Sequence, residues 1–227
     1  MRSCRLIVFD LDGTLVDSKR DLAESANRLL EECGGLALTE EAIGGMVGNG
    51  APVLVARAFE AAGIPAPPDA VARFLEIYDD RLLTHTRPYP HVAEMLTGLA
   101  SRAALAVLTN KPLAATRAIL AGLDLARYFA NDAVLGGDGP FPRKPDPGGL
   151  RHLASRVQVP TAETLLVGDS LVDFTTARNA AARVCLARYG FGFAGFPLAE
   201  VGPDDLIIDA PADLLTLLEI SSGAVRI

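Results

Sequence analysis

The run Leu6-Ile7-Val8-Phe9-Asp10-Leu11-Asp12-Gly13-Thr14-Leu15-Val16-Asp17-Ser18 decides how the rest of the chain is read. Its first four residues are continuously apolar, the pattern of a strand buried on both faces. Asp10 and Asp12 follow at once, and Asp12-Gly13 has the composition of a turn. Two like charges about 4 Å apart repel by about 4 kcal/mol at an effective dielectric of 20. A carboxylate pair set beside a hydrophobic core therefore needs a cation, a shared proton or a function to offset it. A calcium loop of the EF-hand type would place an acid or amide at position 14 and Gly at 15. The chain has Thr14 and Leu15, which sets that reading aside.

Outward from this run, apolar stretches at 104–109, 132–136, 164–168, 184–187 and 206–209 also read as buried strands. Helical patterns over 91–101, 112–122, 148–157, 170–182 and 211–219 fall between most of them. Alternating strand and helix predicts an α/β fold, a Rossmann-like doubly wound and mainly parallel sheet covered on both faces. Residues 18–85 break the rhythm. Ser18 has the composition of a helix cap, with Asp21 near the positive end of the dipole. Leu22, Ala26, Leu29 and Cys33 then share one helical face before Gly34-Gly35. Thr39 opens a second helix, Pro52 suits the first turn of a third, and Val71, Phe74, Leu75, Tyr78 and Leu82 mark a fourth. The expected organisation is an α/β catalytic core over 1–16 and 88–227, with a small α-helical cap domain over 17–87 inserted after the first strand. Segments 16–19 and Arg87-Pro88-Tyr89-Pro90 read as the outgoing and returning linkers.

The 227 residues could form one large domain or two modest ones, and half of them are apolar. A net charge of −7 argues against nucleic acid or an anionic membrane as partner, while leaving small anionic substrates open. No apolar run reaches the roughly 18 residues of a membrane span, and Met1 stands too close to the first strand for a signal peptide. Cys4, Cys33 and Cys185 are far apart with no CxxC, so they read as small core residues in a reducing compartment. The expectation is a cytoplasmic protein, monomer or homodimer. Only three of the 21 basic residues are lysines, Lys19, Lys111 and Lys144.

Four segments begin where a predicted strand ends, and in open α/β sheets ligands bind at those ends. The first is Asp10-x-Asp12-Gly13-Thr14. The second, Thr109-Asn110-Lys111-Pro112, offers a hydroxyl, an amide and a helix N-terminus as an anion cradle, with Pro112 as the first helical residue. The third, Arg143-Lys144-Pro145-Asp146-Pro147, holds Lys144 on an extended backbone as a point charge suited to phosphate. The fourth is Gly168-Asp169-Ser170-Leu171-Val172-Asp173, whose two acids lie one helical turn apart on one face. Four carboxylates facing one lysine call for a divalent cation, and an all-oxygen ligand set suits Mg²⁺. Zinc is disfavoured, because His85, His91 and His152 show no ligand spacing. The Gly/Phe-rich stretch 189–196 reads as a loop that packs aromatic rings over the strand ends.

Taken in order, Asp-x-Asp-Gly-Thr-Leu-Val-Asp-Ser, Thr-Asn-Lys, Lys-Pro-Asp-Pro and Gly-Asp-Ser-x-x-Asp resemble the four signature motifs of the haloacid dehalogenase-like hydrolase superfamily. The resemblance runs over almost the whole chain, and the combination is far more specific than any fragment. Val47-Gly48-Asn49-Gly50-Ala51, Val55-Ala56-Arg57-Ala58, Asp17-Ser18 with Asp21-Leu22, and Tyr189-Gly190 are similar to phosphoglycolate phosphatases. Ala181 departs from the pattern, since the family commonly has Gly there. The resemblance implies that Asp10 is the nucleophile and forms an aspartyl-phosphate. It implies that Asp12 is the acid/base, and that Asp10, the Asp12 backbone carbonyl and Asp169 hold Mg²⁺. By the same resemblance Thr109, Asn110 and Lys144 hold the phosphoryl oxygens, with Thr14 and Asp173 as auxiliaries and Asp173 orienting a metal-bound water or Lys144. Gly48, Asn49, Gly50 and Arg57 are the candidate specificity elements of the cap. The implied activity is hydrolysis of a small phosphomonoester, with 2-phosphoglycolate first. A sugar-phosphate phosphatase, a pyrophosphatase, a phosphosugar mutase and a non-enzymatic phospho-accepting receiver are the alternatives.

Overall fold

The computed structural model describes residues 4–222, so the reading of the chain start at residues 1–3 lies outside the described residues. In chain order the principal elements are β1 (Leu6–Phe9), β2 (Val16–Asp17), α1 (Lys19–Glu32), α2 (Glu40–Gly44), α3 (Ala51–Ala62) and α4 (Ala70–Asp79). Then come β3 (Arg87–Pro88), α5 (Val92–Ala100), β4 (Ala104–Leu108), α6 (Leu113–Gly122), β5 (Val134–Leu135) and α7 (Gly148–Arg156). The chain continues through β6 (Thr164–Gly168), α8 (Leu171–Ala180), β7 (Arg183–Ala187), β8 (Leu206–Ile208) and α9 (Pro211–Ser222).

Six strands form one sheet in the order β5-β4-β1-β6-β7-β8, and every neighbouring pair is parallel. Successive residues of a strand face opposite sides. Ile7 and Phe9 accordingly join Val107, Val167 and residues of α5, α6 and α9 in one apolar layer. Leu6 and Val8 join Ala106, Leu166 and residues of α7 and α8 in the other. With both faces covered, every residue of β1 is buried. The doubly wound α/β expectation is met.

The register is what assembles a site. Phe9 is level with Val107 of β4 and Val167 of β6, so the three strands end side by side. The chain adds β4 and β5 on one side of β1 and then crosses to β6 on the other. The strand order therefore reverses at β1, where a crevice opens at the carboxyl ends.

Helices α1–α4 bury an apolar cluster of their own, including Leu22, Leu30, Ile43, Leu54, Phe59, Phe74 and Tyr78. This insertion leaves and returns by β2 and β3, which pair antiparallel, Val16 with Pro88 and Asp17 with Arg87. The two linkers are thus a paired ribbon rather than separate stiff strings, because the departing and returning chains run side by side.

Three local expectations need correction. Ser18 precedes α1 but makes no side-chain cap. Its backbone, at φ −108° and ψ 5°, lies outside the extended geometry of a capping residue, and its Oγ donates to Asp12 Oδ1 at 2.5 Å. Cys33 is exposed at the end of α1, where the helix gives way to Gly34-Gly35; Cys185 is buried and Cys4 half-buried. Pro112 stands just before α6 instead of inside it. Ala181, where a glycine was the common pattern, closes α8 at φ 56°, a left-handed geometry that costs a non-glycine residue about 1 kcal/mol.

Asp21 also does more than favour a dipole. It is fully buried and accepts from the backbone N–H groups of His85 and Thr86 and from Thr86 Oγ1 at 2.7–3.1 Å. It thereby pins the start of the insertion to its end. Asp21→Ala leaves these buried donors unsatisfied, and the expected loss is about 3 kcal/mol of stability, read by urea unfolding. A loss under about 1 kcal/mol would remove this role.

Candidate active site

The loop after β1 closes tightly on itself. Leu11 carbonyl accepts from the N–H groups of Thr14, Leu15 and Val16, and Gly13 turns the chain at φ 83°. A side chain at Gly13 would fail for a second reason, since its Cβ would lie 1.9 Å from Asp169 Oδ2. The loop thus brings its backbone hard against the carboxylate that follows β6. Gly190 closes the opposite side, where a Cβ would come within 2.2 Å of the Gly13 carbonyl.

Asp10, Asp169 and Asp173 are buried, and one oxygen from each lies within 4.8 Å of the others. Burial, only partly offset by Lys144, pushes the Asp10 carboxyl up to about 6. Burial, together with Asp173 and Asp10, raises Asp169 well above the usual carboxylate range. Asp10 Oδ1 accepts no hydrogen bond, although Lys144 Nζ lies 2.9 Å away as an ion pair. Asp169 Oδ2 accepts from Gly192 N–H at 2.7 Å. A hard divalent cation fits this set of buried, under-satisfied carboxylate oxygens. Asp12 contributes no side-chain oxygen to the cluster.

Instead, Asp10 and Asp12 belong to two separate ion pairs. Lys144 Nζ reaches Asp10 Oδ1 at 2.9 Å and Asp173 Oδ1 at 2.6 Å. Lys111 Nζ reaches both oxygens of Asp12, at 2.9 and 3.0 Å. The sequence reading of four acids facing one lysine is therefore corrected to two buried lysines. In both, the acids more than offset burial and hold the ammonium above its usual range. The third lysine, Lys19, pairs with Glu40 on the insertion.

Asp173 serves two ends at once. Its Oδ2 accepts from Ser170 Oγ at 2.6 Å and from Ser170 N–H, closing a capping box at the start of α8, while its Oδ1 holds Lys144. Of the two roles expected for it, orienting Lys144 is the one for which a contact is present. Asn110 is used differently from the expectation. Its amide nitrogen donates to the Gly48 and Lys144 carbonyls at 2.8 and 2.9 Å, and its oxygen accepts from Lys144 N–H at 2.8 Å. Both amide hydrogens are spent, so the side chain has no donor left for a phosphoryl oxygen. It acts as a staple between the end of β4, the Lys144 loop and the insertion.

Thr109 is buried beside Asp10 in the cleft wall, and its Oγ1 accepts from Lys111 N–H at 3.2 Å. Thr14 is fully buried; its Oγ1 has no partner, and its carbonyl accepts from Tyr189 hydroxyl at 2.9 Å. A small cavity of about 50 Å³ lies between the strand ends and the insertion. Gly48 and Gly50 line it. Asn49 is half-buried and outside that lining, and Arg57 is exposed and donates to the Met46 carbonyl at 3.3 Å.

Sequence reasoning missed three contributors. The motif reading gives Lys111 no role, though lysine is scarce in this chain. Ser18 has only the composition of a cap. The 189–196 loop packs Phe193 and Phe196 on the core as expected, but it also sends Gly192 N–H to Asp169. Only the last of these lacked any local sign.

Similarity to known proteins runs over almost the whole chain. The haloacid dehalogenase-like hydrolase family matches residues 7–187. The plasmid-encoded phosphoglycolate phosphatase of Cupriavidus necator is 39% identical over 228 residues, covering 97% of each chain. The phosphoglycolate phosphatase of Rhodospirillum rubrum is 41% identical over 87% of this chain and 84% of its own. A crystal structure from Haemophilus somnus, described as a predicted phosphoglycolate phosphatase, superposes with a TM-score of 0.87 at 34% identity. It covers 96% of this chain and 99% of its own.

Proposed function

Because this chain belongs to the haloacid dehalogenase-like hydrolases, we propose that it is a Mg²⁺-dependent phosphatase of small phosphomonoesters, with 2-phosphoglycolate as substrate and glycolate and phosphate as products. The observation that carries this reading is the division of labour within the Asp10/Asp12 pair. Asp10 lies in the acidic cluster beside Lys144, whereas Asp12 is held away from it by Lys111 and Ser18. This division supports attack by the first carboxylate and proton transfer by the second.

In the proposed reaction Asp10 attacks phosphorus and the ester oxygen leaves, taking a proton from Asp12. An aspartyl-phosphate results, and Asp12 then accepts the proton of the water that releases phosphate. Lys144 and Thr109 hold the transferring oxygens, and Thr14 packs beneath them. Asp10, Asp169 and the Asp12 backbone carbonyl are the proposed holders of magnesium, which supplies positive charge against the repulsion between carboxylate and phosphate dianion. Segment 17–87 acts as the cap domain and keeps bulk water from the cleft. The proposed partner is the small phosphorylated substrate, bound by a monomer or homodimer, and the compartment proposed is the cytoplasm. Among the described residues, no helix is long and apolar enough to cross a membrane.

The test is phosphate release from 2-phosphoglycolate and a set of other phosphomonoesters, with Mg²⁺ and with EDTA. Activity should require the metal and return when it is added back. Full turnover in EDTA would sink the mechanism. If kcat/KM for 2-phosphoglycolate is not among the highest, the substrate assignment fails and the phosphatase reading stands.

A further inference from the structure

The end of the cleft beyond Asp12 has a composition that selects a leaving group. The insertion lines it with apolar or glycine residues such as Leu22, Val47, Leu54 and Phe74, and Tyr78 is its one polar side chain among the described residues. Tyr78 is 2% exposed, stacked on Phe74, and its hydroxyl has no hydrogen-bond partner. Burial pushes that hydroxyl up to about 12, so it stays a neutral donor. Lys111 Nζ sits 4.5 Å from the Tyr78 ring centroid and is the one cationic side chain lining the cavity among the described residues.

We propose that Lys111 Nζ and the Tyr78 hydroxyl form a subsite for a carboxylate carried one carbon from the ester oxygen. This rests on the phosphatase reading above and names what sets its substrate. An ester oxygen in reach of Asp12 places its substituents beside Lys111, because that ammonium touches both Asp12 oxygens. An ammonium has three donors, so Lys111 can hold Asp12 and a substrate carboxylate together. The same wall rejects sugar phosphates. A polyol would bury several hydroxyls against Leu22, Val47, Leu54 and Phe74 with no partners, and each unpaired group carries a desolvation penalty.

The experiment compares 2-phosphoglycolate with ethyl phosphate, which replaces the carboxylate by a methyl group. It measures kcat/KM of the full chain with Mg²⁺ for the wild type, Lys111→Met and Tyr78→Phe. Wild type should prefer 2-phosphoglycolate by about 100-fold or more, as sites built around a substrate polar group do. Lys111→Met slows both substrates by disturbing Asp12, so the ratio is the readout. It should fall by at least about tenfold in Lys111→Met and by several-fold in Tyr78→Phe, which keeps the ring packing. An unchanged ratio in both variants overturns the subsite. So does a wild type that hydrolyses the two esters equally, in which case the phosphatase reading survives. A wild type that hydrolyses neither ester overturns the subsite and the 2-phosphoglycolate assignment together, and the phosphatase reading falls with them only if no other phosphomonoester releases phosphate.

Discussion

Asp10→Asn is expected to abolish turnover while leaving the fold in place. An amide has nearly the shape of a carboxylate and no capacity to attack phosphorus, so kcat should fall by about 10⁴-fold or more. Lys144 remains paired with Asp173 in this variant, and no buried cation is stranded. The surrounding β1 residues are fully buried and unaffected, so the thermal midpoint should stay within a few degrees of wild type. Phosphate release under saturating Mg²⁺, beside a circular dichroism melt, checks both halves. Residual activity above one part in a hundred would move the nucleophile away from Asp10.

Lys144→Met strips the one cation from between two buried acids, where Asp10→Asn keeps the side-chain shape and removes one of those acids, and its expected effect is correspondingly broader. Lys144 lies between two buried carboxylates, with 2% of its side chain exposed. Without it, Asp10 and Asp173 face each other with no counter-charge, and breaking a buried pair this way costs about 3–5 kcal/mol. Activity should fall by about 10³-fold if, as proposed, Lys144 holds the phosphoryl oxygens. Adding Asp173→Asn to Lys144→Met should recover part of the stability and none of the activity. Urea unfolding of the four proteins of this cycle separates the two contributions. Strict additivity in stability would deny the pairing.

Wherever chemistry is tied to periodicity or to a short motif, the chain could be read directly. The continuous apolar runs give the parallel strands, and the loss of alternation over 18–85 gives the helical insertion. Three of the motifs directly follow β1, β4 and β6, so those segments could be expected to meet before any contact was seen, whereas Lys144 stands nine residues past β5. Elements that rest on competition between partners could not be read this way. Ser18 has a good cap composition, yet its backbone is not extended and its hydroxyl turns to a carboxylate six residues back in sequence. Asn110 has a good anion-binding composition, yet the backbone of Lys144 and Gly48 takes all of its donors. Cys33 falls on an apolar helical face by spacing, yet the helix ends there and the face ends with it.

The sequence alone determined the two acids after β1, the residue types that balance them and the order of the layers, because these depend on residues near in the chain. Only the tertiary structure decided which lysine pairs with which aspartate. It sends Lys144 to Asp10 and Asp173 and Lys111 to Asp12, across separations of 134, 29 and 99 residues. Which acid each ammonium finds is set by the register of β4 and β6 against β1 and by the staple at Asn110. Charge pairing acts over a few ångströms through space, and distance along the chain carries almost no information about it.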